Sequence, residues 1–135
     1  AREEATRPDG FVIEGHTAGG HNAPPRGKIQ LDDSGQPIYG ERDLPNIPAI
    51  AKVGLPFYLA GGYGDPDKVR EALHAGATGV QVGTLFALCR DSGMRPYLRN
   101  RLLDEMRSGT LVVKTDAAAS PTGFPFKVAQ VPGTM

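Results

Sequence analysis

Apolar residues gather along the chain in short runs, and three of these runs end in glycine: Phe11-Val12-Ile13-Glu14-Gly15, Phe57-Tyr58-Leu59-Ala60-Gly61-Gly62 and Gly79-Val80-Gln81-Val82-Gly83-Thr84. They are too short for helices, rich in β-branched and aromatic residues, and bounded by turn formers. That is the pattern of strands in a parallel sheet covered on both faces. Between the second and third runs a helix is punctuated at both ends, with Asp65 as N-cap, Pro66 at the first helical position, Val69, Ala72 and Leu73 on one face, and Gly76 just past the end. The three pieces make a βαβ unit. Such units join parallel strands by a right-handed crossover and build either an open doubly wound sheet or a (β/α) barrel.

The stretch between the first two strands is longer. It predicts a hairpin excursion over about residues 28–40, with 28–31 against 36–39 and the turn at Asp32-Asp33-Ser34-Gly35, then a short helix over 47–52 that Pro45 and Pro48 confine. After the third strand a helix is expected at 85–90. A second, amphipathic one follows over 96–107, with Leu98, Leu102 and Met106 at i, i+4 and i+8. Residues 111–135 read as an extended, Pro-rich tail, strand-like over 111–115, that packs its aromatics on a surface. The whole chain, 1–135, reads as a single domain.

Composition narrows this picture. The 135 residues suffice for one core, but they fall short of the roughly 250 of a closed eight-stranded barrel. Fifteen basic side chains balance fifteen acidic ones and no basic stripe stands out, so neither nucleic acid nor an anionic membrane is an expected partner. The one cysteine, Cys89, cannot form an internal disulfide and is expected in the core. No apolar run reaches the length of a membrane span and no signal-peptide pattern opens the chain, which makes the cytoplasm the expected location. A start at Ala1-Arg2-Glu3-Glu4 is what an internal cut from a longer protein would look like.

The chemistry concentrates at the strand ends. In parallel α/β folds ligands sit at the carboxyl ends of the strands, where helix N-termini point unpaired N–H groups. Gly61-Gly62 and Gly83-Thr84 stand there before expected helix starts, and glycine lets a phosphate approach the backbone. Two consecutive junctions of this kind fit a phosphate clasp, and tight turns alone are the other reading. The first cluster, Gly15-His16-Thr17-Ala18-Gly19-Gly20-His21-Asn22, delivers a histidine to the same end. His21 is a candidate general base, with His16 or Asn22 as a second polar contact, and a surface role is the alternative. A metal site from His16, His21 and His74 is not expected, because His74 lies on the intervening helix. Ser120 near Asp116 lacks a nucleophile elbow and is set aside.

On these residues the sequence resembles the nitronate monooxygenase family, FMN-dependent enzymes whose relatives include the flavin-type enoyl-ACP reductases. The matching pieces are Glu14-Gly15 with Ala18-Gly19-Gly20-His21, Leu59-Ala60-Gly61-Gly62, Gly76-Ala77 leading to Val80-Gln81-Val82-Gly83-Thr84-Leu85-Phe86, and Asp91-Ser92-Gly93. The tail Ser120-Pro121-Thr122-Gly123-Phe124-Pro125 looks like that of a larger subgroup. The resemblance implies an α/β fold, a partial (β/α)8 TIM barrel comprising about its last three β/α units, with the hairpin insertion and the extended arm added. It implies FMN as cofactor, held by Gly19, Gly20, Gly61, Gly62, Gln81, Val82, Gly83 and Thr84, and His21 as catalytic base. The implied reaction oxidises a nitronate or nitroalkane with O2 to a carbonyl compound and nitrite. An enoyl-ACP reductase-like activity fed by NAD(P)H, or an inactive phosphate-binding fragment, are the alternatives. Three strands cannot close a barrel, so a homo-oligomer or pairing with a missing N-terminal half is expected to cover the open edges.

Overall fold

A computed structural model of the chain describes residues 6–134; the charged start at Ala1 to Glu4 and the last tail residue, Met135, lie outside the described residues. Strands β1 (Phe11–Glu14), β2 (Phe57–Ala60) and β3 (Gly79–Gln81) form a parallel sheet in the order β1-β2-β3. Their register puts Val12 and Tyr58 in one row with Gly79, then Ile13, Leu59 and Val80, then Glu14, Ala60 and Gln81 at the carboxyl ends. Side chains alternate along a strand, so the first and third of these rows share one face and the middle row takes the other.

The face of the middle row is the core. Phe57 and Leu59 cluster there with Ala72 and Ala77, and Phe11, Ile13, Ile47, Ile50 and Val80 pack around them. Helices α1 (Ile47–Ala51) and α2 (Pro66–His74) supply this cover. Both are capped by the side chains their sequence places there: Asn46 accepts from the Ala49 N–H, and Asp65 from the N–H groups of Asp67 and Lys68. The opposite face departs from the expectation of cover on both sides, since Val12 is 49% and Tyr58 40% exposed. Ala60, at the carboxyl end of the same face, is buried, so among the described residues this face is covered at that end and open around Val12 and Tyr58.

Three further expectations meet the structure in different ways. The hairpin excursion at 28–40 is present but short: Leu31 pairs with Pro37, flanked by bonds from the Asp32 N–H to the Gln36 carbonyl and from the Ile38 N–H to the Gln30 carbonyl, both 2.9 Å. Pro37 fits because the bonds flanking this pair need no proline N–H, and the Asp32 carboxylate accepts the N–H groups of Ser34 and Gln36 in the tight turn. Helix α3 (Thr84–Ala87) is one turn that begins at Thr84, and Cys89 beyond it is exposed rather than in the core. The tail is strand-like over 112–116, close to the expected 111–115, and a second strand turns it from a single arm into a hairpin. After helix α4 (Pro96–Ser108), which follows its amphipathic prediction, strands β4 (Val112–Asp116) and β5 (Phe126–Gln130) pair antiparallel around a loop of residues 117–125. The return strand is stitched to the loop after β1: Lys127 N–H donates to the Gly20 carbonyl at 3.0 Å, and Asn22 N–H to the Pro125 carbonyl at 2.8 Å. Backbone groups left free by the first loop thus find partners on the tail, which holds it down. Among the described residues no helix is long and apolar enough to cross a membrane.

Candidate functional site

The carboxyl ends of the three parallel strands are tied to one another by side chains. Gln81 on β3 donates its amide to the Glu14 carboxylate on β1 at 3.0 Å. The bond passes over the row position of Ala60 on β2, a residue small enough to leave the path open and itself buried. Thr17 donates its hydroxyl to the Gly61 carbonyl at 3.2 Å, closing the loop after β1 onto the end of β2. Gly61 permits that approach twice over: its φ of +100° is left-handed, and a Cβ would stand 2.7 Å from both the Ala18 nitrogen and the Thr17 hydroxyl.

These ties shape a cavity of about 620 Å³ whose wall contains Gly19, Gly20, Gly61, Gly62, Gln81, Val82, Gly83 and Thr84. All eight residues expected around a phosphate-bearing cofactor therefore face one space, and its volume falls within the usual span of small-molecule sites, roughly 300–1,000 Å³. Where side chains would project from Gly20, Gly62 and Gly83 there is open room, so a bulky anion can reach the backbone. One element of the expected clasp is different. Tyr63, Gly64 and Asp65 separate Gly62 from α2, and the Asp65 carboxylate already occupies the first N–H groups of that helix. A phosphate here must rely on the loop backbone, since the α2 terminus is taken.

His21 does not share this space. It borders a neighbouring cavity of about 660 Å³, together with His16, Asn22, Tyr39 and Asp43; Glu14 lines both. Consecutive residues Gly20 and His21 thus face different sides of one wall. The His21 Nε2 lies 2.7 Å from the Ser120 hydroxyl, and the edge of Phe126 meets the ring at 4.7 Å between centroids. Ser120 is buried, and its oxygen is held in turn by the Thr122 hydroxyl at 2.7 Å and the Thr122 N–H at 3.2 Å. The imidazole is therefore fixed on one nitrogen and one face while still accessible to solvent.

The second cavity combines apolar residues from β1 and α1, among them Ile13 and Ile50, with a few polar side chains that are hydrogen-bonded or stacked. His16 stacks on Tyr39 with centroids 4.6 Å apart, and the Tyr39 hydroxyl donates to the Ala23 carbonyl. Burial, helped by the Asp43 charge, raises the Tyr39 phenol above its ordinary value. Asp43 shifts the other way, because its carboxylate accepts the N–H groups of Gly40 and Arg26. Asn22 is 5% exposed; its amide nitrogen donates to the Ala18 carbonyl, and its oxygen has no partner among the described residues. The three histidines do not converge, since His74 bonds the Arg70 carbonyl on α2, and no metal-holding group of His, Cys, Asp and Glu occurs among the described residues.

The sequence model of the nitronate monooxygenase family matches residues 2–120. The chain belongs to that family. A nitronate monooxygenase of Pseudomonas aeruginosa is 34% identical over 133 residues, which cover 96% of this chain and 36% of that protein. A probable nitronate monooxygenase of Staphylococcus aureus is 34% identical over 107 residues, 78% of this chain and 28% of the relative. The chain spans about a third of the length of the curated relatives it matches.

Two residues gain a role that the sequence alone does not assign: Ser120 at His21, and Lys127 in the glycine cavity. Ser120, set aside for want of a nucleophile elbow, meets His21 only because the terminal hairpin folds back. Lys127 lines the glycine cavity; the single cation in an otherwise uncharged strand, Phe126-Lys127-Val128-Ala129-Gln130, was the available signal.

Proposed function

We propose that the chain is the part of an FMN-dependent nitronate monooxygenase that carries the cofactor clasp and the catalytic base, corresponding to about the last three β/α units of a (β/α)8 barrel. The convergence of all eight expected cofactor residues on one cavity carries this reading. The open face with Val12 and Tyr58 supports the barrel, because the inward side of a barrel strand is filled only by strands from the rest of the ring.

In this reading Gly61, Gly62, Gly83 and Thr84 would hold the FMN phosphate through backbone N–H groups, and Gly19 and Gly20 would complete the wall of the site. Bound FMN would supply the electron-accepting chemistry that lets O2 convert a nitronate to a carbonyl compound and nitrite. His21 takes the α-proton of a neutral nitroalkane, which approaches from the adjoining cavity. With Nε2–H donating to the Ser120 hydroxyl, Nδ1 would be the nitrogen that receives the proton. The Glu14–Gln81 bond holds the strand ends at a fixed separation.

The test is reconstitution with FMN of the full-length protein that carries this chain, followed by oxygen consumption and nitrite release with a nitronate. Stoichiometric flavin and nitrite formation are expected. A protein that takes up no FMN overturns the proposal, and one that binds FMN but bleaches rapidly with NAD(P)H in the absence of O2 redirects it to a reductase.

A further inference from the structure

Lys127 is the one ammonium group in the wall of the glycine cavity. Its position is built. On β5, Phe126 and Lys127 point to opposite faces, so that Phe126 meets the His21 ring while Lys127 turns toward the glycines. Its backbone N–H holds the Gly20 carbonyl, joining the strand to the loop that forms part of the cavity wall. Across the hairpin it pairs with Thr115, and its Nζ donates to the buried Thr115 hydroxyl at 2.8 Å.

That single bond leaves an ammonium with three donors only partly satisfied. No carboxylate forms an ion pair with it among the described residues. Glu14, the cavity's carboxylate, is engaged by Gln81. Burial pushes the Lys127 amine below its ordinary value, and no neighbouring charge acts to restore it. A partly desolvated cation without a counter-charge is unfavourable in an empty site and favourable once an anion enters.

We infer that Lys127 is the cationic contact for an anionic group of the cavity's occupant, and this rests on the proposed flavin site. FMN offers that chemistry at two places, its phosphate and the ring, which gains negative charge on reduction. A positive charge beside the ring is among the means by which proteins tune a flavin.

Binding of FMN and of riboflavin, which lacks the phosphate, to the wild type, Lys127→Met and Lys127→Arg decides the matter, together with the midpoint potential of the bound flavin. FMN affinity is expected to fall about tenfold or more in Lys127→Met, as for loss of one charged hydrogen bond, and to recover largely in Lys127→Arg. If riboflavin affinity is spared, the partner is the phosphate. If riboflavin affinity falls equally and the potential becomes more negative, the partner is the ring. In the wild type, FMN is expected to shield Lys127 from reductive methylation, a measurement independent of how the variants fold. Unchanged affinities and potential in a folded Lys127→Met, or equal methylation with and without FMN, overturn the inference while leaving the flavin site intact. A wild type that binds no flavin overturns both.

Discussion

The Nε2 of His21 and the hydroxyl of Ser120 stand 2.7 Å apart across 99 positions of the chain. The contact turns a loop histidine into an oriented one, because Ser120 is buried and is itself anchored by Thr122. His21→Asn is expected to spare FMN content while lowering turnover of a neutral nitroalkane about 100-fold or more, the usual contribution of a general base. Turnover of a pre-formed nitronate should fall far less. Ser120→Ala should show the same preference at about tenfold, the scale of one hydrogen bond. Equal losses on both substrates would assign the pair to binding.

The glycines separate folding from ligand binding. Gly61→Ala should destabilise the protein by about 3 kcal/mol, since the methyl group would meet the Ala18 nitrogen and Thr17 hydroxyl at 2.7 Å and the φ of +100° disfavours any side chain. Gly62→Ala, also left-handed but facing open space, should lose about 1 kcal/mol. Gly83→Ala has neither problem, so its chemical denaturation curve should match the wild type while FMN affinity falls.

Asp65 guards the N-terminus of α2. Asp65→Ala removes the cap on Asp67 and Lys68 and should lower stability by about 1 kcal/mol. FMN affinity should stay unchanged in equilibrium titrations; a large loss would mean that the α2 terminus takes part in binding after all.

Acid acts on the loops around the second cavity. N–H groups of Gly40 and Arg26 hold the Asp43 carboxyl below its ordinary 3.8, and the Ser34 hydroxyl with the Gln36 N–H does the same for Asp32. For a carboxyl depressed in the folded state, the stabilisation is complete above the unfolded value. It is lost as pH falls through the lower folded value. Stability should therefore decline below about pH 4, and Asp43→Asn and Asp32→Asn should each flatten that decline in denaturation measured against pH.

Cys89 should react with a thiol reagent at one equivalent in the native protein, without denaturant, because it lies exposed past α3. Protection until unfolding would place it in the core instead.

Much of the local structure was legible in the sequence. The Asp65-Pro66 start and Gly76 stop of α2 need only neighbouring residues, and so do the glycine-ended strands and the Pro96 start of α4. Their parallel order follows from the short helical crossover between β2 and β3. The hairpin's turn, Asp32 to Gly35, is legible in its residue types, while its length is not, because only Leu31 and Pro37 form a bridge. Cys89 was misplaced, since a composition argument for burial carries no information on what packs against α3.

What the sequence by itself determined is the three parallel strands with α1, α2 and α4, and the family, because capping, apolar runs and motif spacing are properties of short segments. Only the tertiary structure decided that the glycine cluster and His21 face opposite sides of one wall. It also decided that the terminal hairpin returns to bring Ser120 to His21 and Lys127 to the glycines. Those contacts depend on closing loops of about a hundred residues, which leave no local trace in the sequence, and the arrangement is selected by long-range bonds to the tail from Gly20, Asn22, His21 and Gln36.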